Sequence, residues 1–419
     1  MIIFSHPTVN ANVRHAASAL AGAGLLEEFW TTIAWSPSSS LAPLIPARLR
    51  TPLARRALPA ELARHARFMP FREFGRHACG RVGLSWLARH EKGCFSIDAV
   101  YRALDRKAAS RVAANPRISA VYAYEDGAAA AFHAAKDRAL YCFYDLPIGY
   151  WRAAHAIYAE EKEREPQWAS TLSGMLDSAE KCARKDDELR LADLVLVAST
   201  FTKKTLELVP GARSAVIPYG APPPAPPIPR PRRSGDRLKV LFVGALGQRK
   251  GLSYLLKALD IAGTHFDLTL IGRPAGDACA PLDSARKSHR WIPSLPHAGI
   301  LREMSAHDVM VFPSLFEGFG LVILEAMSQG LPVITTPHTA GPDLIEDGKD
   351  GFIVPIRSAE SIARRLDQLA SDPALLAAMS DAARETAASL AWRHYHEALV
   401  SVIGQHLAHP TAAPAAVTS

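Results

Sequence analysis

The 419 residues are 48% hydrophobic and 21% charged, the composition of a globular protein long enough for two or three domains. A chain that is disordered as a whole is excluded, because there is ample apolar surface to bury. The five cysteines are widely spaced and form no CxxC pair, which excludes a disulfide scaffold and gives no zinc-binding spacing. We interpret them as reduced thiols of a cytoplasmic protein.

The N-terminus and the hydropathy pattern bear on location. The first residues lack the basic lead of a signal peptide, and the first apolar run breaks at Ser5-His6-Pro7. No apolar run reaches the ~18 residues that a membrane-spanning helix needs. We therefore expect the protein to stay in the cytoplasm.

The front half of the chain contains short apolar runs that are typical of buried strands. The candidate strands are residues 1–5, 31–35, 120–124, 140–144, 194–198 and 215–217. Residues 186–192 lead helically into one of them. The half is irregular, but its pattern is that of an α/β domain.

A proline-rich stretch divides the chain. Seven of the ten positions from Pro222 to Pro231 are proline, which lacks the amide donor and fixes φ. Such a run cannot be a helix or a central strand. We interpret residues 221–236 as a stiff, extended linker between two domains of ordinary size.

The back half alternates apolar runs with segments of helical spacing. The predicted strands are residues 238–244, 266–272, 309–313, 332–336 and 351–355, and the predicted helices are 251–262, 298–306 and 321–329. Strands that are apolar throughout, separated by helices, indicate a parallel sheet covered on both faces. The prediction is two Rossmann-like domains, with ligands at the carboxyl ends of the strands in the cleft between them.

The most informative stretch is residues 313–335, PSLFEGFGLVILEAMSQGLPVIT. A predicted strand ends at Pro313, and the turn after it carries Glu317 and two glycines, which let the backbone approach a ligand closely. Amides at the start of the following helix attract anions. Glu325 lies eight residues after Glu317, so both carboxylates can face one cleft. The alternative left open is that Glu317 supports the helix N-terminus and Glu325 pairs with a neighbouring cation.

This stretch closely resembles the signature of family 4 (group 1) glycosyltransferases of the GT-B fold. The shared pattern is Pro-Ser, a glutamate followed by Gly-Phe-Gly, a second glutamate within the helix, Ala-Met, and Gly-x-Pro-Val. Further matches are Val243-Gly244, Lys250-Gly251, Ala192-Asp193, Ser199, residues 217–220, and positions from Gly341 to Pro355. The resemblance extends over about residues 185–400 and is weak over the first 180.

The resemblance implies an α/β fold with two doubly wound, Rossmann-like domains that face an interdomain cleft. Residues 1–220 would form the acceptor domain and residues 237–385 the nucleotide-sugar donor domain, joined by the linker 221–236. A terminal helix over residues 386–407 is expected to cross back to the first domain, with packing on its own domain as the alternative. We expect the tail, residues 408–419, to be disordered.

The resemblance also implies a retaining hexosyltransferase that moves a sugar from a nucleotide-diphosphate sugar to a glycan or lipid-linked acceptor. Synthesis of a cell-surface polysaccharide or glycolipid is the expected setting. A polysaccharide synthase of the same fold and a non-catalytic sugar- or nucleotide-binding protein are the alternatives. A Rossmann oxidoreductase is set aside because no GxGxxG opens a helix after any predicted strand.

Individual roles follow from the same resemblance. Glu317 would contact the transferred sugar, Glu325 would hold the ribose hydroxyls, and Lys250 would stabilise charge on the leaving diphosphate. The family carries an arginine where this chain has Ala245, and Arg249 is either its replacement or a solvated surface charge. The implied donor-binding set is Gly244, Arg249, Lys250, Glu317, Gly318, Phe319, Gly320, Leu321 and Glu325.

The acceptor side and the cofactor are predicted from the residues. Asp145 follows a candidate strand, and we expect it either to face the cleft as a catalytic partner or to cap a turn. The chain has no Asp-x-Asp motif, so no metal or other cofactor is expected. Lysine and helix amides would supply the positive charge for the leaving diphosphate.

The formal net charge of +7 is concentrated in one stretch. Nine arginines and two glutamates lie between Arg48 and Arg81, interleaved with Leu58, Leu62, Phe68 and Phe71. We expect this stretch either to attach the protein to an anionic membrane, which would suit a lipid-linked acceptor, or to be a solvated basic face. No nucleic-acid partner is expected.

Overall fold

The computed structural model describes residues 1–35, 56–172, 176–227, 236–263 and 265–408. Within these residues seven strands form one parallel sheet in the order β3-β2-β1-β4-β5-β6-β7, and six form a second in the order β10-β9-β8-β11-β12-β13. The first sheet comprises β1 Ile2–Ser5, β2 Leu26–Thr31, β3 Ala66–Phe68, β4 Ala120–Tyr124, β5 Tyr141–Leu146, β6 Leu194–Val197 and β7 Ser214–Val216. The second comprises β8 Leu238–Val243, β9 Phe266–Ile271, β10 Arg290–Ile292, β11 Val309–Phe312, β12 Val333–Thr335 and β13 Gly351–Ile353.

Helices cover both sheets. Those of the front half are α1 Ala11–Gly22, α2 Phe71–Cys79, α3 Ile97–Ala114, α4 Ala129–Lys136, α5 Trp151–Arg164, α6 Ala179–Leu191 and α7 Thr200–Thr205. Those of the back half are α8 Leu252–Ala262, α9 Ala280–Ser288, α10 His297–Ala306, α11 Leu321–Ser328, α12 Gly341–Leu344, α13 Ala359–Ser371, α14 Pro373–Ser389 and α15 Trp392–Ala408. The central strands β1, β4 and β5 are buried at every residue, as strands covered on both faces must be. The predicted α/β class with two doubly wound sheets is confirmed.

Strand β2, Leu26–Thr31, lies earlier in the chain than the predicted strand at residues 31–35. The apolar pattern does not indicate this segment, because it contains a glutamate that is unfavourable in a buried strand, but the structure supplies partners for that glutamate. Glu28 is buried in β2, where it accepts a hydrogen bond from Trp30 Nε1 at 2.7 Å. Arg111 Nη2, from α3, lies 2.7 Å from its Oε1. The charge is therefore paired, and these partners offset the cost of burying it.

Two segments cross between the sheets. Helix α5 follows β5 of the first sheet, yet Trp168, just beyond its end, is buried in the core beneath the second sheet. Helix α15, at the end of the chain, packs on α1 of the first sheet, with the Trp392 indole stacked on the His15 ring at 3.7 Å. Residues 228–235 and 409–419, which include two of the seven prolines of the linker and nearly all of the tail, lie outside the described residues.

The arginine-rich stretch is only partly described, since residues 36–55, with three of its nine arginines, lie outside the described residues. Two of the four apolar residues named above are not available to a membrane: Leu58 is 8% exposed and Leu62 fully buried, because both pack into the core of the first domain. Phe68 and Phe71 are 50% and 77% exposed. Among the described residues no helix combines the length and apolar character needed to span a membrane.

Candidate active site

The site is built on two neighbouring strands of the second sheet. Strands β8 and β11 pair directly, so the turns that follow their carboxyl ends lie side by side. The turn after β8 carries Gln248–Lys250, and the turn after β11 carries Glu317. Leu315 N donates to Arg249 O at 2.9 Å, which ties the two turns together.

Glu317, Lys250 and Arg249 form a cluster where these turns meet. Lys250 Nζ contacts Glu317 Oε2, and the two side chains are only 10% and 14% exposed. Arg249 Nη1 donates to the Phe316 carbonyl at 3.0 Å and lies 3.3 Å from the same carboxylate oxygen. Arg249 is therefore directed at Glu317, and its side chain is 31% exposed, so it is not simply a solvated surface charge.

Burial and the neighbouring Arg249 guanidinium lower the pKa of the Lys250 ammonium. The touching Glu317 carboxylate favours the charged form of this lysine. The Lys250 ammonium also lies 4.7 Å from the centre of the Phe312 ring. A Cβ at Gly244 would lie 3.9 Å from Lys250 Cε, so this glycine adjoins the stem of the lysine. The cluster thus has two cations and one carboxylate, largely withdrawn from water.

The front domain closes over the turn that carries Glu317. Ser199 Oγ and Thr202 Oγ1 both donate to the Gly318 carbonyl, the latter at 2.9 Å. A side chain at Gly318 would collide with the carbonyl of Pro147, from the loop after β5. Glycine at this position therefore permits a close approach of two backbones.

Glu325 lies on α11 and lines a different part of the cleft. Its Oε1 is 3.0 Å from His297 Nε2, and this contact raises the pKa of His297. With Arg14 and Trp392 these residues line a groove of about 620 Å³ that spans both domains. That volume is within the range of small-molecule sites, on the order of 300–1,000 Å³.

The remaining predicted donor residues lie at the start of α11, and their side chains do not all face the groove. Gly320, with φ +84°, precedes the helix in a conformation that favours glycine. Leu321 lines the groove beside Glu325. Phe319 is 2% exposed and packs against Tyr219 with ring centroids 5.1 Å apart, so its side chain belongs to the core.

The expectation that Asp145 opens to the cleft is wrong. Strand β5 runs on to Leu146, beyond its predicted end, so Asp145 lies within the strand and is 4% exposed. Its carboxyl accepts a hydrogen bond from Tyr122 at 2.6 Å and, with Tyr219 and Tyr395, lines a small cavity of about 10 Å³. Burial raises the pKa of Asp145 to about 7. The side chain therefore faces the layer between the sheet and α15.

Two residues of this region escaped the sequence analysis. His297 precedes no motif, and nothing in the sequence pairs it with Glu325. Glu161 lies in the run EEKERE, which has the composition of a solvated helix face, yet it is fully buried against the turn that carries Lys250. Only the tertiary fold brings these contacts together.

A metal-ligand geometry occurs elsewhere among the described residues. His90, Glu91 and Asp177 bring ligand atoms within 4.8 Å of one another. Asp177 already pairs with Lys181 at 3.0 Å and Lys185 at 2.9 Å, so its charge is balanced by lysines. The group shares no residue with the Glu317 cluster.

Comparisons with known proteins agree with this geometry. The family model described as glycosyl transferases group 1 matches residues 228–386. The amylovoran biosynthesis glycosyltransferase AmsK of Erwinia amylovora is 31% identical over 182 residues, which are 39% of this chain and 44% of that protein. Glycogen synthase of Mycobacterium tuberculosis is 28% identical over 259 residues, 59% of this chain and 60% of that protein. The chain thus spans about half the length of these curated relatives.

Solved structures match along nearly the whole chain. Sucrose-phosphate synthase from Thermosynechococcus elongatus has a TM-score of 0.67 at 17% identity, covering 97% of this chain and 99% of that one. Anabaena HepE in complex with UDP-glucose has a TM-score of 0.61 at 15% identity, with 96% and 99% coverage. These identities establish the fold alone. The chain has the GT-B fold. The predicted resemblance to group 1 glycosyltransferases is confirmed over residues 228–386.

Proposed function

We propose that the protein is a retaining glycosyltransferase that moves a sugar from a nucleotide-diphosphate sugar to a glycan or lipid-linked acceptor. The observation that carries the proposal is the cluster of Lys250, Arg249 and Glu317 at adjoining strand ends. Glycosyl transfer develops positive charge on the sugar and negative charge on the leaving diphosphate. In a site largely excluded from water, the Glu317 carboxylate would stabilise the positive charge and the two cations would stabilise the negative charge.

Glu325 supplies the second half of the proposed donor site. A carboxylate that lines an open groove can accept hydrogen bonds from the two hydroxyls of a ribose. A bound ribose would compete with His297 for that carboxylate. In this arrangement the nucleoside occupies the groove and its diphosphate reaches toward Lys250.

The relatives support the substrate class. One is named for the biosynthesis of amylovoran, and a structural neighbour is described in complex with UDP-glucose. We propose by analogy a role in the synthesis of a surface polysaccharide or glycolipid, in the cytoplasm.

A thermal-shift screen against UDP, GDP, ADP and TDP tests the donor class. One diphosphate should raise the melting temperature by mass action, and the others should have little effect. Release of that diphosphate from its sugar nucleotide, in the presence of acceptor glycans, then separates an enzyme from a binding protein. A protein that none of the four stabilises would contradict the proposed donor site.

We also propose that transfer proceeds without a divalent metal, with Lys250 as the main cation on the diphosphate. Initial rates should be unchanged in excess EDTA, and activity lost in EDTA but restored by Mg²⁺ or Mn²⁺ would refute this. Lys250→Ala should lower the rate about a hundredfold, the typical effect of one charge contact in a closed site. Because Arg249 contacts the same carboxylate, Arg249→Ala should also weaken diphosphate binding measurably in calorimetry.

The membrane is a proposed partner through the exposed face of the arginine-rich region. Phe71 and Phe74 on α2 are 77% and 59% exposed, and Trp86, further along the chain, is 61% exposed. Arginines 67, 72 and 81 accompany them. Aromatic side chains beside cations favour an anionic lipid surface.

Sedimentation with vesicles tests this attachment. The protein should co-sediment with phosphatidylglycerol-containing vesicles at low salt and not with pure phosphatidylcholine. Phe71→Ser with Phe74→Ser should release it, whereas Leu208→Ser, at a 55% exposed apolar position outside this face, should not. Failure of the parent protein to bind anionic vesicles would leave the region as a solvated basic face.

A further inference from the structure

Helix α5 connects the two domains as a rigid element. At its start, Tyr150 Oη and Trp151 Nε1 donate to Asp186 Oδ1 of the first domain at 2.6 and 2.7 Å. At its end, Glu161 and the following turn Pro166–Thr171 pack on the second domain. The fourteen residues of the helix span about 21 Å. Because of the contacts at its two ends, the helix is fixed to the first domain at one end and to the second domain at the other.

The Glu161 carboxylate is the centre of the contact at the far end. It is fully buried and accepts hydrogen bonds from Gln248 Nε2 at 2.7 Å and Tyr254 Oη at 2.8 Å. Its other oxygen accepts from Arg357 Nε at 2.8 Å, which balances the charge. All three partners belong to the second domain, and a buried carboxylate with three donors is strongly held.

Gln248 connects this carboxylate to the cationic turn. It is fully buried and begins the turn Gln248–Lys250, whose next two residues are the cations beside Glu317. Its backbone amide donates to Thr171 Oγ1 at 2.9 Å, a second contact from the segment that follows α5. The turn is therefore held from the first domain's chain by one side-chain and one backbone contact.

The backbone of Arg357 is a second, independent observation that the contact between α5 and the second domain is tightly held. Its φ is +63°, in the left-handed region that non-glycine residues rarely occupy. Its guanidinium also donates to Glu160 at 2.7 Å and to the Ile157 carbonyl at 3.1 Å, both on α5. A strained backbone persists where the surroundings over-determine it, here by contacts to α5.

We propose that Glu161 is a positioning residue that sets the orientation of Arg249 and Lys250 through Gln248. In this role α5 couples the placement of the first domain to the geometry of the diphosphate site. The inference rests on the proposed function, because the effect is read out through nucleoside-diphosphate binding.

Calorimetric titration with UDP, GDP, ADP and TDP tests the role on the full chain. The diphosphate that binds the parent should bind Glu161→Gln about tenfold more weakly, since an amide NH₂ would face donors at one end. Gln248→Met, which fills a similar volume but cannot donate, should show the same loss. The double variant should lose no more than either single variant, because the two residues act as one connection.

Glu165→Gln is the matched control. Glu165 directly follows the last residue of the same helix and contacts Lys257 of the second domain, but it does not touch the cationic turn. It should leave the diphosphate affinity within about twofold, even where it lowers the melting temperature as much as Glu161→Gln does.

Three results separate the outcomes. Unchanged affinity in Glu161→Gln and Gln248→Met would overturn the positioning role. An equal loss in Glu165→Gln would show that α5 only holds the domains together, and would overturn it too. A parent protein that binds none of the four diphosphates would instead overturn the proposed function on which the inference rests.

Discussion

Glu317 shares its carboxylate with two cations, and its charge is the feature that an amide cannot replace. Under the proposed function, we predict that Glu317→Gln abolishes glycosyl transfer while the fold is retained. The glutamine side chain would keep the shape of the glutamate but would lack the charge that now pairs with Lys250 and Arg249 and that would stabilise positive charge on the sugar. The loss in kcat/KM should be at least about a hundredfold, or roughly 3 kcal/mol at the transition state.

Steady-state kinetics with the cognate sugar nucleotide measures this loss. The melting temperature and circular dichroism of the variant serve as controls for folding. A kcat/KM within about threefold of the parent would exclude a transition-state role worth even ~1 kcal/mol.

Asp145 gives a prediction about stability. Its pKa is about 7 in the folded protein and near 3.8 when exposed, so the folded state favours the neutral carboxyl. The unfolded chain loses this proton first as pH rises, and the contribution to stability falls between about pH 4 and 7 and is constant above. A difference of three pKa units corresponds to at most about 4 kcal/mol.

Asp145→Asn cannot ionise, and we predict that it removes this decrease. In urea unfolding, the free energy of unfolding of the variant minus that of the parent should be larger at pH 8 than at pH 4.5. The reason is that at pH 8 the parent carries a buried charge and the variant does not. Transfer activity at pH 7 should stay within a few-fold, since the residue faces α15 rather than Glu317. The same pH dependence in both proteins would contradict the shifted pKa.

At the scale of elements, the sequence predicts the long apolar strands and the glycine turns. It does not predict the strands whose buried charged residues are paired with partners elsewhere in the fold. Strands β1 and β4 are continuous buried runs that the apolar pattern alone specifies. Strand β2 contains two adjacent glutamates, and the buried one, Glu28, is compensated by Trp30 within the strand and by the distant Arg111. Strands β3 and β10 each carry an arginine and lie at a sheet edge, where no apolar run is required.

The contacts of the candidate site likewise fall into those that the sequence predicts and those that it does not. The approach of Lys250 to Glu317 could be anticipated, because both follow strands that neighbour one another in a doubly wound sheet. The burial of Glu161 and the pairing of His297 with Glu325 depend on packing between elements far apart in the chain. A polar residue in a helix looks alike from sequence whether its partner is water or a buried glutamine.

At the scale of the whole molecule, α5 and α15 join the domains in addition to the linker. The Gly318 carbonyl accepts hydrogen bonds from Ser199 and Thr202 across the cleft, and Asp343 Oδ2 accepts from the Thr200 amide at 2.8 Å. On the α15 side, Ala221 N donates to Leu390 O at 2.7 Å. Contacts on both sides of the cleft mean that domain movement must change polar interactions as well as packing.

The contact between α15 and α1 contains a titratable pair. His15 stacks on Trp392, and its Nδ1 lies 3.0 Å from His396 Nε2. Burial, with the neighbouring His396 and Arg14, lowers the pKa of His15 to about 4 from its ordinary 6.5. The unfolded chain therefore takes up this proton first, and the stability that His15 contributes is lost as pH falls from about 6.5 toward 4. The sign is opposite to that of Asp145, which lies beneath the same helix.

We predict that acid weakens the docking of α15, and that His15→Phe reduces this effect because phenylalanine stacks on Trp392 but does not titrate. Between pH 7.5 and 5 the parent should lose at least about 2 °C more in melting temperature than the variant, the scale of ~1 kcal/mol for a domain of this size. Limited proteolysis after α14 should accelerate in acid in parallel. His394→Phe, at an exposed position on the same helix, is the control and should keep the parental pH dependence. If His15→Phe and His394→Phe respond to pH alike, the His15 contact does not govern the docking of the terminal helix.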